Sequence, residues 1–195
     1  MRCLKDLEKE DEMAKVCIPL ATGFEDIEAI TLIDVIRRGG IEVVTAGVGG
    51  EIIESAHNVK VIADTTIDKI DADDFDLVVL PGGLPGATNL AKSEEVKNLL
   101  RAMDEKDKYV GAICAAPIAL KEAGVLKDKY TAYPGWESNI RKEGYISDQK
   151  VVEDKNVLTS KGPATAICFG LEIVKKFAGE ETYNQLKAGL LADFC

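Results

Sequence analysis

Two side chains carry the reactive potential of this sequence. Cys114 falls where the apolar run Tyr109, Val110, Ala112, Ile113 meets a helix-forming stretch, Ala115, Ala116, Ile118, Ala119, Leu120. A strand that turns into a helix at a thiol has the layout of a nucleophile elbow, with Cys in place of Ser. The helix that follows would offer N–H groups and its dipole to the sulfur, an arrangement that favours the thiolate. The other reading is a buried structural cysteine, because free Cys is among the most buried residue types. Glu28 is the second. At 100° per residue along 26–38 it falls between Val35 and Leu32, inside an apolar surround formed by Ile27, Ala29, Ile30, Ile33 and Ile36. A carboxyl so placed is costly to ionise, so its pKa should rise, and the protonated acid could donate to a thiolate or shuttle a proton. A glutamate reaching solvent or pairing with Arg37 or Arg38 is the alternative.

Gly82 and Gly83, in Pro81-Gly82-Gly83 after the run Leu77 to Leu80, leave backbone N–H groups free to face a ligand. With the Ala115 N–H they could form an oxyanion hole, although the same tripeptide is also an ordinary turn signal. His57 is the only histidine and lies in the polar segment S-A-H-N, where a surface role without catalysis is expected. One histidine gives little basis for a His-based metal site. Nucleotide-binding glycine patterns are absent, so no cofactor is expected.

The elements that must position these groups alternate. Strands are expected at 15–20, 41–46, 59–63, 77–80 and 109–113, with helices at 26–38, 93–105 and 115 to about 124. After Gly124 come a short strand-like piece at 130–133, a hairpin from 150–153 and 156–159, and helices from Gly162-Pro163 to Ala178 and from Glu180 to Ala192. Such alternation implies an α/β sandwich with a mostly parallel sheet covered on both faces. Sites in such sheets lie at the carboxyl ends of strands. The turn after Leu20, the Pro81-Gly82-Gly83 loop and Cys114 should therefore converge.

The 195 residues suggest one domain over 14–195, preceded by a charged arm at 1–13 that reads as disordered or frayed. A net charge of −10 gives no basic footprint for nucleic acid, and no apolar run reaches the ~18 residues of a membrane span. The five cysteines (Cys3, Cys17, Cys114, Cys168 and Cys195) are scattered and odd in number. Neither a disulfide framework nor a thiolate metal site is indicated, and a reducing, cytoplasmic setting is expected.

Taken together, G-F-E-D-I-E (23–28), D-V-I-R-R-G-G-I (34–41), D-L-V-V-L-P-G-G-L-P-G-A (76–87), A-I-C-A-A-P (112–117) and L-T-S-K-G-P-A-T-A (158–166) resemble the ThiJ/PfpI superfamily. The likeness is strongest to its Parkinsonism-associated deglycase branch, which implies a flavodoxin-like, glutamine-amidotransferase-like three-layer α/β fold. The resemblance implies that Cys114 is the reactive, oxidisable cysteine and Glu28 the protonated glutamate beside it. It further implies that Gly83 and Ala115 supply the facing amides and that helix 26–38 is a homodimer interface. Tyr133 and Pro163 would wall the pocket. The implied activity is cofactor-independent conversion of reactive carbonyls, such as methylglyoxal to lactate through a hemithioacetal. A non-enzymatic oxidative-stress sensor or redox-regulated chaperone acting through Cys114 is the alternative. Glyoxalase-type members carry His-Pro where this chain has Tyr133-Pro134, and a phenol is a poorer general base at neutral pH than an imidazole. Protease-like members carry His directly after the nucleophile, where this chain has Ala115.

Overall fold

The computed structural model describes residues 13–195, so nearly all of the expected charged arm (residues 1–12) lies outside the described residues. In chain order the first half comprises β1 (Lys15–Leu20), α1 (Asp26–Arg38), β2 (Glu42–Gly47), β3 (Ile52–Glu54), β4 (Lys60–Ile62), β5 (Thr65–Thr66), β6 (Leu77–Leu80), α2 (Gly86–Lys92) and α3 (Glu94–Glu105). The second half comprises β7 (Tyr109–Ile113), α4 (Pro117–Ala123), α5 (Glu137–Ile140), β8 (Val151–Asp154), β9 (Val157–Ser160) and α6 (Ala166–Gly189).

Continuous apolar runs become the middle of the sheet because both faces are covered. Every residue of β6 is buried, as is every residue of β9. The seven strands run in the order β5-β2-β1-β6-β7-β9-β8. All neighbours are parallel except β8, which closes an edge antiparallel to β9. The core divides at the sheet. One side packs Leu90, Leu100, Met103 and Leu120 from α2, α3 and α4. The other packs Leu32, Ile36, Phe169 and Val174 from α1 and α6. Each such side chain contributes about 1.5–3 kcal/mol of apolar burial.

Local signals act where expected at several ends. Ser93 caps α3 by accepting from the Val96 N–H, and Gly124 closes α4 in the left-handed region at φ 80°. Gly179, at φ 88° and ψ 168°, breaks α6 into two helices, as the sequence suggests. Other expectations need correction. The elbow helix begins only at Pro117, because Ala115 and Ala116 form the turn that brings the chain off β7. Helix α2 was not anticipated. Residues 130–133 join neither sheet and form only a single bridge, Tyr130 to Tyr145. The cysteines are not all free: Cys168 and Cys195 form a disulfide. No helix among the described residues is long and apolar enough to cross a membrane.

Candidate active site

The site forms where β1, β6, β7 and β9 end. Cys114 immediately follows β7 and takes φ 65°, a left-handed conformation that ordinary residues adopt at a cost of about 1–3 kcal/mol. Its surroundings hold it there. The Cys114 N–H donates to the Ser160 carbonyl at 3.0 Å, and its own carbonyl accepts from the Tyr133 N–H at 2.9 Å. One residue on, the Ala115 carbonyl accepts from the Trp136 indole at 3.1 Å. Ser160 and Trp136 thus brace the elbow. Sequence reasoning assigned neither a role, although Ser160 lies within the motif 158–166.

Glu28 reaches the same point from the first turn of α1. It is fully buried, and its Oε2 accepts from the Gly82 N–H at 2.7 Å. Its other oxygen, Oε1, is buried without a hydrogen-bond partner among the described residues. The loop after β6 is fixed to the loop after β1 by the Glu25 N–H, which donates to the Gly82 carbonyl at 2.9 Å. Gly82 has no room for a side chain. A Cβ there would stand 2.7 Å from both the Cys114 Cβ and Glu28 Oε2. Gly83, at φ 86°, presses against the Glu25 amide, where a Cβ would come within 2.3 Å. The expected convergence of three loops therefore holds, and it brings Glu28, Gly82, Gly83, Cys114 and Ala115 together.

The electrostatics follow from burial. Desolvation pushes the Glu28 carboxyl up to about 7, against the opposing hydrogen bonds from Gly82 and Cys114. The Cys114 thiol is pushed up to about 12, first by burial and then by the charge of an ionised Glu28, while the Gly83 and Ala115 amides pull it down. This corrects the expectation of a helix-lowered thiol. Helix α4 is only seven residues long and starts three positions beyond the sulfur, so desolvation outweighs its dipole. Glu28 is therefore the member of the pair that ionises near neutrality, and its carboxylate is the base that faces the thiol proton. Oε2 is occupied as an acceptor, so the proton belongs on Oε1. Cys17 shows what a purely structural thiol looks like here: it is buried, raised to about 12 by desolvation alone, with no acidic or amide partner.

Tyr133 and Pro163 do share a cavity wall, with Pro134, Lys161 and Thr165, around a space of about 290 Å³. Cys114 and Glu28 do not line it; the cavity joins the elbow through the Tyr133 backbone. His57 is exposed, as expected, but it is not isolated. Its Nδ1 lies 2.8 Å from Asp26 Oδ2, and the Ser55 hydroxyl donates to Asp26 Oδ1 at 2.5 Å. The Asp26 hydrogen bond raises the His57 pKa. Burial opposes ionisation of Asp26, yet the bonds from Ser55 and His57 hold its carboxyl below the usual range. Glu25, Asp26 and His57 place one ligand atom each within 4.8 Å of one another, the one such group among the described residues.

The profile of the DJ-1/PfpI family matches residues 14–176. The chain belongs to the DJ-1/PfpI family. It is 40% identical over 178 residues to protein dj-1beta of Drosophila melanogaster, covering 90% of this chain and 95% of that protein. The crystal structure of Drosophila melanogaster DJ-1beta superposes with a TM-score of 0.88 at 39% identity, covering 92% of this chain and 98% of that one. A Caenorhabditis elegans relative named glutathione-independent glyoxalase DJR-1.2 is 34% identical over 164 residues, covering 83% of this chain and 87% of that protein. DJ-1/PfpI membership agrees with both the motifs and the sheet order, and the family includes glyoxalase-type enzymes.

Proposed function

We propose that this chain is a cofactor-independent, cysteine-dependent enzyme for reactive carbonyls of the glyoxalase or deglycase type. The observation that carries the reading is the burial of Glu28 against Cys114 across Gly82, with an unpartnered carboxyl oxygen in the pair. The ionised Glu28 takes the Cys114 thiol proton as the sulfur adds to the aldehyde carbon of methylglyoxal, and it hands that proton to the alkoxide formed, giving the hemithioacetal and restoring the carboxylate. The Gly83 and Ala115 amides stabilise that oxyanion. Glu28 takes the proton from the thiol-bearing carbon and returns it to the neighbouring carbon, while the hydroxyl proton passes to the former ketone oxygen, leaving the thioester of lactate. Water then cleaves the C–S bond, releasing lactate and the thiol. The likeness to the relative named a glyoxalase supports the same chemistry. The test is D-lactate formation from methylglyoxal by wild type and Cys114→Ser. Equal rates would sink the proposal.

One observation favours a second role, oxidative sensing. Among the described residues, Cys114 is the partly exposed free thiol, whereas Cys17 is buried. Peroxide would convert Cys114 to a sulfinate, held by the same amides and a protonated Glu28. A mass gain of about 32 that is absent from Cys114→Ser supports this role, and oxidation spread evenly over the cysteines argues against it.

The protein acts as a homodimer in this reading. Ile27 and Ile30 on α1 are 56% and 45% exposed, and Ile52 and Ile62, paired across the β3–β4 hairpin, are 67% and 75% exposed. The hairpin is tied to the loop before α1, where the Gly23 N–H donates to the Glu54 carbonyl and the Ala56 N–H to the Phe24 carbonyl. A second copy packed along α1 would cover this apolar face.

A further inference from the structure

The segment after α6 returns to the start of that helix. A straight α6 of 24 residues would separate its ends by ~36 Å, yet Cys195 meets Cys168 with their Cα atoms 5.1 Å apart. The reversal at Gly179 makes this possible. The returning segment buries Ala192 and then reaches the β8–β9 hairpin. There Lys150 Nζ donates to the Phe194 carbonyl and sits 5.8 Å from the centre of the Phe194 ring. Lys150 is also fixed through its backbone, its carbonyl accepting from the Ser160 hydroxyl at 2.8 Å. A space of about 270 Å³ lies beside the disulfide, bordered by Lys150, Cys168, Glu172 and Cys195. Lys150 borders the Tyr133 cavity as well. One cationic side chain therefore joins the disulfide's surroundings to the cavity beside the elbow.

We infer that Cys168–Cys195 is a second redox site, separate from Cys114, that latches residues 193–195 and so occupies the Lys150 ammonium with the Phe194 carbonyl. A small dithiol is the class of reductant. Its thiolate attacks Cys195 Sγ, the more exposed sulfur; the S–S bond breaks, and Cys168 leaves as a thiolate that takes up a proton. The second thiol of the reductant resolves the mixed disulfide and frees Cys195. Two electrons and two protons pass to the pair, and the dithiol becomes a cyclic disulfide. Without the bond, residues 193–195 keep the Lys150 contact and the Cys195 N–H bond to the Ala192 carbonyl, while Ala192 stays buried and bonded to the Lys187 carbonyl. Where the Lys150 contact gives way, the ammonium is released to the Tyr133 cavity, where it favours anionic occupants.

The test uses the full chain treated with diamide, then alkylated and mapped before and after dithiothreitol. A cross-linked Cys168–Cys195 peptide is expected, resolving into two separately alkylated peptides on reduction. With reduction, hydrogen exchange over 193–195 should quicken by about tenfold or more, and reductive methylation of Lys150 should rise with it. Cys195→Ser should show the reduced pattern without dithiothreitol. Cys114→Ser should retain the whole response. Failure to form the cross-link, or unchanged exchange and labelling once it is reduced, overturns the latch. So does a response that disappears in Cys114→Ser, which would assign it to the other thiol.

Discussion

Glu28 Oε2 accepts the Gly82 N–H at 2.7 Å, and that bond orients a fully buried carboxyl whose second oxygen has no partner among the described residues. The proton-carrying atom is thereby specified, and Glu28→Gln becomes the sharpest probe of the pair. Glutamine keeps the shape and the bond to Gly82 but cannot take and return a proton. Carbonyl turnover should fall by about 10²–10⁴-fold, the usual contribution of a positioned acid–base group. Circular dichroism should show the fold retained.

Burial of Glu28 also predicts a pH dependence of stability. Its pKa is raised in the folded chain, from 4.5 to about 7, so folding is unopposed while the group is protonated. As pH rises from about 4.5 towards 7, the unfolded chain ionises first and stability falls, by up to about 3 kcal/mol. Urea midpoints measured across this window should decline in wild type. In Glu28→Gln this component should be absent, and a parallel decline in both proteins would contradict the assignment.

Gly82→Ala tests the close packing at the centre of the site. The added methyl meets the Cys114 Cβ and Glu28 Oε2 together, both at 2.7 Å. The Cys114 Cβ is fixed to the backbone, the Ile113 carbonyl stands 2.9 Å away and Glu28 Oε2 is held by the Gly82 N–H, so overpacking should cost about 1–3 kcal/mol. Because the clash falls on both members of the pair, alkylation of Cys114 by iodoacetamide should change rate as well.

Tyr133→His places an imidazole at the position where the resemblance to glyoxalase-type members leads one to expect it. Tyr133 is braced to the elbow through its N–H and walls the adjacent cavity. An imidazole there adds a base with a near-neutral pKa, and lactate formation should rise by about tenfold or more. Tyr133→Phe should leave the wild-type rate nearly unchanged.

Charge on the apolar face should separate the proposed subunits. Ile27→Asp with Ile30→Asp places two carboxylates on the exposed stripe of α1. Light scattering should report a monomer for the double variant and a dimer for wild type. A wild-type monomer at micromolar concentration would overturn the dimer.

The parallel sheet and the convergence of its loops were legible because buried strands read as unbroken apolar runs, as in Leu77 to Leu80. Glu28 was legible because a lone carboxylate in an apolar helical surround has few explanations. The state of the thiol was not. Cys114 ended up governed by desolvation and by Glu28, quantities that depend on packing between β7, α1 and the loop after β6. The Cys168–Cys195 bond was hidden for a similar reason. Spacing alone cannot show that the chain doubles back at Gly179, and only that reversal makes two distant cysteines neighbours. The short strand β5 and helix α2 lack periodicity long enough to register.

The Ser160 carbonyl, which holds the Cys114 N–H, comes from β9, the last strand of the sheet in chain order. A chain emerging in order from its N-terminus possesses both Glu28 and Cys114 well before it possesses this brace. Until β9 inserts beside β7, the left-handed turn at Cys114 lacks that support and the sulfur is an ordinary thiol on a strand end. The brace, the burial and the Glu28 contact that together set the state of the sulfur are therefore complete only once residues from both ends of the chain are in place.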